Sequence, residues 1–321
     1  MEAGSEEKTP QINDLIFKEL IKRQFSVEGD TRTWNLADSK LWYLTDAQSQ
    51  DYLNLEHQGD YKSSVTDKEV ALLRQHVPDI ISMLHNSHYN LIDLGCGDGT
   101  KAAAIIQDLT EKLKLRYCPI DISSYMVRAA AQTLRDTGFG DVVEFKWNVS
   151  DFENLTNITP LLREGKFQQH CMLLLGNTLG NFDTDDMLHG IKQSMRQGDT
   201  LVVGNGLRES DDDDDVTRPY QAKSLDEFLI HVLEQVGLSA NDVEYNARFK
   251  NSRVEMYYKV KNNKTVNHFD KSVQFKSGDE ILTAISYKFT KDSLGEYLKK
   301  FFPNVQIFTD SDTTYALALC S

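Results

Sequence analysis

The chain's pattern predicts an α/β fold, a parallel sheet wound with crossover helices, joined to a second, smaller α+β region. Three observations carry this. Apolar, strand-like runs alternate with helix-like runs from residue 89 to residue 207, the order that winds a parallel sheet. After Leu207 the alternation is lost, and a long helical pattern precedes runs that alternate like antiparallel strands. A glycine-rich stretch, LIDLGCGDGT, falls directly between the first strand-like run and the helix-like run that follows it.

Residues 13–24 (NDLIFKELIKRQ) space their apolar positions for an amphipathic helix, and residues 66–85 do the same with Pro78 as a break or kink. Between them, Trp34 to Tyr61 is aromatic and irregular. Then come strand-like YNLIDLG, helix-like TKAAAIIQDLTEKLK, strand-like LRYCPIDIS, helix-like SYMVRAAAQTLRDTG and a third strand-like run, VVEFKWNVSD. CMLLLGN and TLVVGNG are further strands, with the helix-like MLHGIKQSMRQ between them. Beyond Leu207, AKSLDEFLIHVLEQVG reads as a helix, and VEYNARFKNSRVEMYYKVKN and HFDKSVQFKSGDEILTAISYKF read as antiparallel strands of an inserted domain. SLGEYLKKFFP is again helical, and VQIFTDSDTTYALALC is two strands about a polar turn that return to the sheet edge.

Composition narrows the function. A chain of 321 residues can bury one large core or a core plus a satellite domain. A formal net charge of −14 without a Lys/Arg stripe argues against a nucleic-acid partner. The four cysteines, Cys96, Cys118, Cys171 and Cys320, are far apart and lack metal-ligand spacing, so reduced thiols and no metal are expected. The polar, acidic start MEAGSEEKTP and the lack of a long apolar run point to a cytoplasmic protein with no membrane partner. The acidic run from Glu209 to Asp215 reads as a solvated surface loop.

The chemistry is read from successive strand ends. Asp93, Gly95, Gly97 and Gly99 lie where a ligand can approach backbone near a helix N-terminus, and Lys101 follows in the same motif. The spacing is GxGxG with an acid two residues before the first glycine, which favours S-adenosylmethionine (SAM) over a nicotinamide dinucleotide. Asp121, 22 residues beyond Gly99, is placed to accept two ribose hydroxyls; an Asp that only caps the helix starting at Ser123 or Ser124 is the alternative. Asp151 and Phe152 end the third strand-like run, offering an acceptor for an exocyclic amine and an aromatic face for adenine. Together these predict a Rossmann-like class I SAM-dependent methyltransferase domain. The next strand end, LLLGNTLGNF, then lines the same crevice from Gly176 to Phe182, making Asn181 a candidate substrate ligand.

From about residue 35 the chain resembles the ergothioneine-pathway histidine Nα-methyltransferases and their relatives, which include fungal dimethylallyltryptophan N-methyltransferases. The resemblance rests on LIDLGCGDGTKA, PIDIS, SDFEN, LLLGNTLGNF, RVEMYY and GDEILTAISYKF, in family order. It implies a SAM domain from 62–207 and 287–321, a substrate-binding domain from 26–61 and 208–286, and an N-terminal tail and helix over 1–25. It implies that Asn181 and Tyr220 bind the amino-acid backbone and that Tyr43 and Tyr61 line the pocket, Asn181 and Tyr43 acting in catalysis and Gly176 beside the substrate. Ala284 stands where histidine-specific members carry a Glu that grips the imidazole together with the serine matching Ser286. Ala cannot accept an imidazole N–H, and a buried donor without a partner costs about 1–3 kcal/mol. Met256 would form a flexible apolar wall, or be an ordinary core Met.

The expected reaction is transfer of the SAM methyl group to the α-amino nitrogen of a free amino acid or close derivative, leaving S-adenosylhomocysteine (SAH), by a monomeric enzyme. Three alternatives stay open: another acceptor (a substituted tryptophan, another amine or an oxygen nucleophile), histidine itself held by other groups, and a SAM-binding regulatory protein without catalysis.

Overall fold

The computed structural model describes residues 12–57, 62–208 and 212–321. Its contacts divide the chain into two units: the segment ending at Trp42 joins Asp213–Ile285, and Tyr43–Asp212 joins Ser286–Ser321.

In the first unit, β1 (Phe25–Glu28) and β2 (Thr31–Asn35) form a hairpin, and β2 pairs in parallel with β11 (Glu280–Tyr287). The five-stranded sheet is completed by β7 (Val243–Lys250) and β8 (Arg253–Val260), in the order β1-β2-β11-β8-β7. On β8 the even positions Val254, Met256, Tyr258 and Val260 are buried, the period of a strand with one core face. A second hairpin joins β9 (Lys264–His268) to β10 (Lys271–Phe275). The expected first helix runs Asp14–Arg23, its N-terminus held by Asn13, whose Oδ1 accepts from the Leu15 amide at 2.9 Å. The helix Lys223–Glu234 buries Phe228, Leu229, Val232 and Leu233.

The second unit is built on a six-stranded sheet of order β12-β13-β6-β5-β3-β4. Here β3 (His88–Leu94), β4 (Lys114–Ile120), β5 (Gln169–Leu174) and β6 (Thr200–Gly206) are parallel, whereas β12 (Val305–Thr309) and β13 (Tyr315–Cys320) return antiparallel at one edge. Both faces are covered. Tyr89 and Leu91 of β3, Cys171 and Leu173 of β5, and Leu317 and Leu319 of β13 enter one apolar cluster. Their sequence neighbours Ile92, Leu94, Met172, Leu174, Ala316 and Ala318 enter the other. That double burial is why these strands read as continuous apolar runs.

Several expectations are corrected. VVEFKWNVSD is not a strand: it touches β4 only through isolated bridges at Val142 and Val149, with a 3₁₀ turn over Lys146–Asn148 between them. The cause lies in β4, where the Tyr117 and Asp121 amides donate to Asp141 and Asn148 but Pro119, the donor position between them, has no N–H. The Asn148 side chain fills the gap, donating to the Pro119 carbonyl at 2.7 Å. The irregular aromatic stretch contains a helix, Asp46–Glu56, closed by a Thr45–Gln48 capping box. The acidic run is not all loop, since Asp213–Thr217 is a short helix; its residues 209–211 lie outside the described residues. As Pro78 suggested, two helices meet there, Asp67–Gln75 and Val77–Met83, with Pro78 in the first turn of the second. The four thiols are free and buried, and among the described residues no helix is long and apolar enough to cross a membrane.

At the amino ends of the strands sits a clasp around Asp199. Its carboxylate takes both Arg163 guanidinium nitrogens and the amides of His170 and Arg196, each amide at 2.7 Å. Burial, aided by Arg163, pushes the His170 imidazole down to about 4. The neutral ring donates from Nε2 to the Thr159 carbonyl at 2.9 Å and accepts at Nδ1 from Asn90. Asp199→Ala leaves a buried guanidinium unpaired, and the expected loss is about 3–5 kcal/mol of unfolding free energy, read from urea denaturation.

Candidate active site

Three glycines shape the loop between β3 and the helix Thr100–Thr110. Gly95, Gly97 and Gly99 all have positive φ (68°, 53° and 77°), a conformation that costs L-residues strain. They differ in use. A Cβ on Gly99 would lie 2.8 Å from the Ala130 Cα, so this glycine lets the loop pack on the helix Ser124–Asp136. A Cβ on Gly97 would meet only Glu56 Oε2, at 3.9 Å, so its backbone is open to a ligand.

Acids stand beside this loop. Asp93 is 4% exposed and accepts from the Tyr117 hydroxyl at 2.7 Å. Burial raises its carboxyl to about 7, against the pull of the Tyr117 hydrogen bond and Lys101. Asp121 is raised to about 6, again by burial, opposed by amides of Ser123, Gly97 and Ile122. The helix cap itself is Ser123, whose hydroxyl accepts from the Met126 amide, while the Ser123 amide donates to Asp121 Oδ1 at 2.9 Å. Asp151 accepts from the Glu153 amide at 3.1 Å, and the Phe152 ring leans on Phe182 with centroids 5.4 Å apart.

A cleft in this unit is lined by Glu56, Asp93, Gly97, Lys101, Gly176 and Thr178 among others. Lys101 Nζ is 2.6 Å from Glu56 Oε1 and 3.5 Å from Glu69 Oε2. Glu69 is fully buried, accepts from the Gly176 amide on both oxygens at 3.0 Å, and accepts from the Tyr315 hydroxyl at 2.7 Å. Burial raises its carboxyl, with Lys101 pulling the other way. A cation between acids on open backbone suits a zwitterionic head group; a buried acid at the next strand end suits a diol; an acid with an aromatic ring suits an amino-substituted base.

The turn after β5 is also shaped. Asn177 has positive φ (63°), and its Oδ1 accepts from the Gly206 amide. The turn ends at Asn181, which is half-buried and makes no side-chain hydrogen bond among the described residues. Tyr43 sets its ring edge-on to Tyr52, with centroids 5.2 Å apart. Tyr61 lies outside the described residues.

The remaining acceptor-side candidates divide between the units. Tyr220 belongs to the first unit, its carbonyl accepting from the Tyr245 hydroxyl at 2.8 Å. Met256 is 4% exposed, opposite Ala247 on β7, and its carbonyl accepts from the Thr283 hydroxyl at 3.1 Å. Ala284 (1% exposed) and Ser286 (4% exposed) sit two residues apart on β11, Ser286 being the first residue of the return to the second unit.

Glu56, Glu69 and Tyr117 were missed from sequence. The signal for Glu69 was its phase, since it shares the buried side of its helix with Leu72 and Leu73. The helix Asp46–Glu56 buries Gln48, Ser49 and Glu56 along with Leu53, an unusually polar inner face.

A family model described as "Histidine-specific methyltransferase, SAM-dependent" matches residues 42–321. A histidine N-alpha-methyltransferase of Mycobacterium tuberculosis (strain CDC 1551 / Oshkosh) is 25% identical over 273 residues, 80% of this chain and 82% of that one. Its namesake from Mycolicibacterium smegmatis (strain ATCC 700084 / mc(2)155) is 23% identical over 272 residues, 79% and 81% of the two chains. Among solved structures, an S-adenosylmethionine-dependent methyltransferase from Clostridium acetobutylicum ATCC 824 superposes with a TM-score of 0.42 at 15% identity, covering 84% of this chain and 97% of that one.

The raised Asp93 and Asp121 carboxyls fix a pH dependence. Unfolded, both titrate near 3.8; folded, at about 7 and about 6, so the native state holds the protons more tightly over that window. Their contribution to stability is present below pH 4 and is lost as pH rises through 6 and 7. Asp93→Asn removes the larger part. Its urea midpoint is expected to fall less than that of the native sequence between pH 4.5 and 8.

Proposed function

Because the chain belongs to the family of histidine-specific, SAM-dependent methyltransferases, we propose that it methylates the α-amino nitrogen of a free amino acid, or a close derivative, whose side chain is not imidazole. The observation that carries this reading is Ala284, buried at 1% exposure on the central strand β11 where the resemblance places an imidazole-gripping Glu. No carboxylate is offered there, and the space left by its loss favours an apolar or bulkier side chain.

The residues present fit SAM. Open backbone at Gly97, the Lys101 ammonium among Glu56, Glu69 and Asp93, and the buried Asp121 match a methionyl zwitterion and a ribose. In this reading Asp93, Gly95, Gly97, Gly99 and Lys101 hold the methionyl end, Asp121 the ribose hydroxyls, and Asp151 with Phe152 the adenine. SAM, when bound, supplies an electrophilic methyl on a sulfonium, whose C–S bond breaks to give SAH as the nitrogen lone pair forms the new C–N bond.

The chain's own part is positioning and desolvation. The α-amino group of a peptide titrates near 8, and that of a free amino acid higher because its own carboxylate stabilises the ammonium, so only a small fraction is neutral at pH 7 and desolvation in the site favours that form. The nitrogen's proton passes to solvent. The resemblance assigns Asn181, with its side chain uncommitted to the described residues, and Tyr220 to the amino-acid backbone, and Tyr43 and Tyr61 to the acceptor side, Tyr61 lying outside the described residues. The resemblance assigns Gly176 to the substrate and Met256, Ala284 and Ser286 to the acceptor's side chain. Holding both reactants in line is worth several kcal/mol of the barrier.

Mass spectrometry of SAM-dependent products across free amino acids, indole derivatives and small amines tests the reading. Methylated aromatic or apolar amino acids with histidine silent are expected; product from histidine would show that another group holds the imidazole. Asn181→Ala is expected to cut methyl transfer by about 100-fold or more while SAM affinity by calorimetry changes less than about 3-fold. Ala284→Glu is expected to raise activity on histidine by about 10- to 100-fold, measured as kcat/KM.

A further inference from the structure

Four elements of the second unit converge on Glu69. Its carboxylate, 0% exposed on the helix Asp67–Gln75, takes the Gly176 amide that follows β5, the Tyr315 hydroxyl of β13 and, at 3.5 Å, the Lys101 ammonium from the helix after β3. On β6, Gly204 carries no Cβ, and one placed there would collide with Glu69 Oε1. Burying a carboxylate is costly, and an apolar residue would better suit the buried side of the helix that Glu69 shares with Leu72 and Leu73. What the charge does that a leucine could not is hold two polar groups of the cleft, since Lys101 and Gly176 both line it.

We propose that Glu69 is a positioning residue for the cofactor, fixing the Lys101 ammonium and the Gly176 amide so that Lys101 meets the carboxylate of the SAM methionyl group. The inference rests on assigning Lys101 to the methionyl end, and does not depend on which acceptor is methylated. Glu56 holds Lys101 Nζ from the other side by a hydrogen bond of 2.6 Å, so the ammonium is set between two buried acids, and Glu69 is the one of them that also fixes the Gly176 amide.

Calorimetric titration of SAM and of SAH into four proteins tests this: the native sequence, Glu69→Gln, Lys101→Met and the double variant. Glutamine still offers an oxygen to the Gly176 amide but carries no charge to fix the ammonium. Lys101→Met is expected to weaken both ligands by about 10- to 100-fold and Glu69→Gln by about 10-fold, with the double variant within about 2-fold of Lys101→Met. Unchanged affinity in Lys101→Met alone would overturn the assignment of Lys101, and the inference with it. A normal Lys101→Met loss with additive losses in the double variant would overturn the role of Glu69 only. So would weakening of SAM but not SAH, the mark of distant attraction to the sulfonium. Tyr315→Phe removes one of the bonds that hold Glu69 and is expected to give the same pattern at about 3-fold, which keeps the test available should Glu69→Gln not fold.

Discussion

A parallel sheet covered on both faces leaves polar chemistry only two places to go, the ends of its strands. Successive residues of β3, β5 and β13 enter opposite apolar clusters, so neither face can carry a reacting group. The two ends are treated differently. At the amino ends, Asp199 takes two guanidinium nitrogens of Arg163 and two amides, and a neutral His170 imidazole bonds beside it, which leaves only the Arg163 Nε of this group unpaired among the described residues. At the carboxyl ends, the acids are buried without full compensation. Asp93 and Asp121 are raised to about 7 and 6, because water is excluded and the partners supplied are a phenol and amides. The Asp199 clasp ties the amino ends together, whereas acids raised by burial beside a cleft are the pattern of a candidate ligand site.

The same physics assigns labour to the charges around the cleft. Lys101 is the cation that Glu56 and Glu69 share, and Glu69 also grips the amide that opens the β5 turn. One carboxylate thereby ties the Lys101 ammonium beside the glycine loop to the turn that ends at Asn181. Close fit continues along that turn, where a Cβ on Gly180 would come 3.1 Å from the Tyr287 carbonyl oxygen. Residues whose backbone is so tightly placed suit a reaction that needs alignment more than acid–base strength.

Membership of a family named for histidine and the alanine at position 284 are reconciled in the proposed reading by a change of acceptor. In that reading the glycine loop, Lys101, Asp121 and Asp151 with Phe152 serve the cofactor. In the proposed reading Ala284 supplies no acceptor of its own to an imidazole, and a buried N–H without an acceptor lowers affinity by about an order of magnitude or more. A site can keep its reaction and change its acceptor when the groups that orient the amino-acid backbone are separate from those that read its side chain.

Local pattern was enough to foresee the alternating core, the glycine loop, the acids at the strand ends and the polar turn after β5, because each depends on residues adjacent in the chain. Pro119 was also on view, but its effect needed a partner: only with the segment from Asp141 to Asn148 in place did the missing N–H break a strand that its own composition favoured. Glu56 and Glu69 were hidden for a related reason. Each reads as an ordinary helical acid until folding brings it to Lys101, 45 and 32 residues further along. Strand runs, turns and helix phases follow from short-range sterics and the spacing of apolar side chains, so they are written locally. The partners of a buried charge are chosen by long-range packing, and only the tertiary structure decides them.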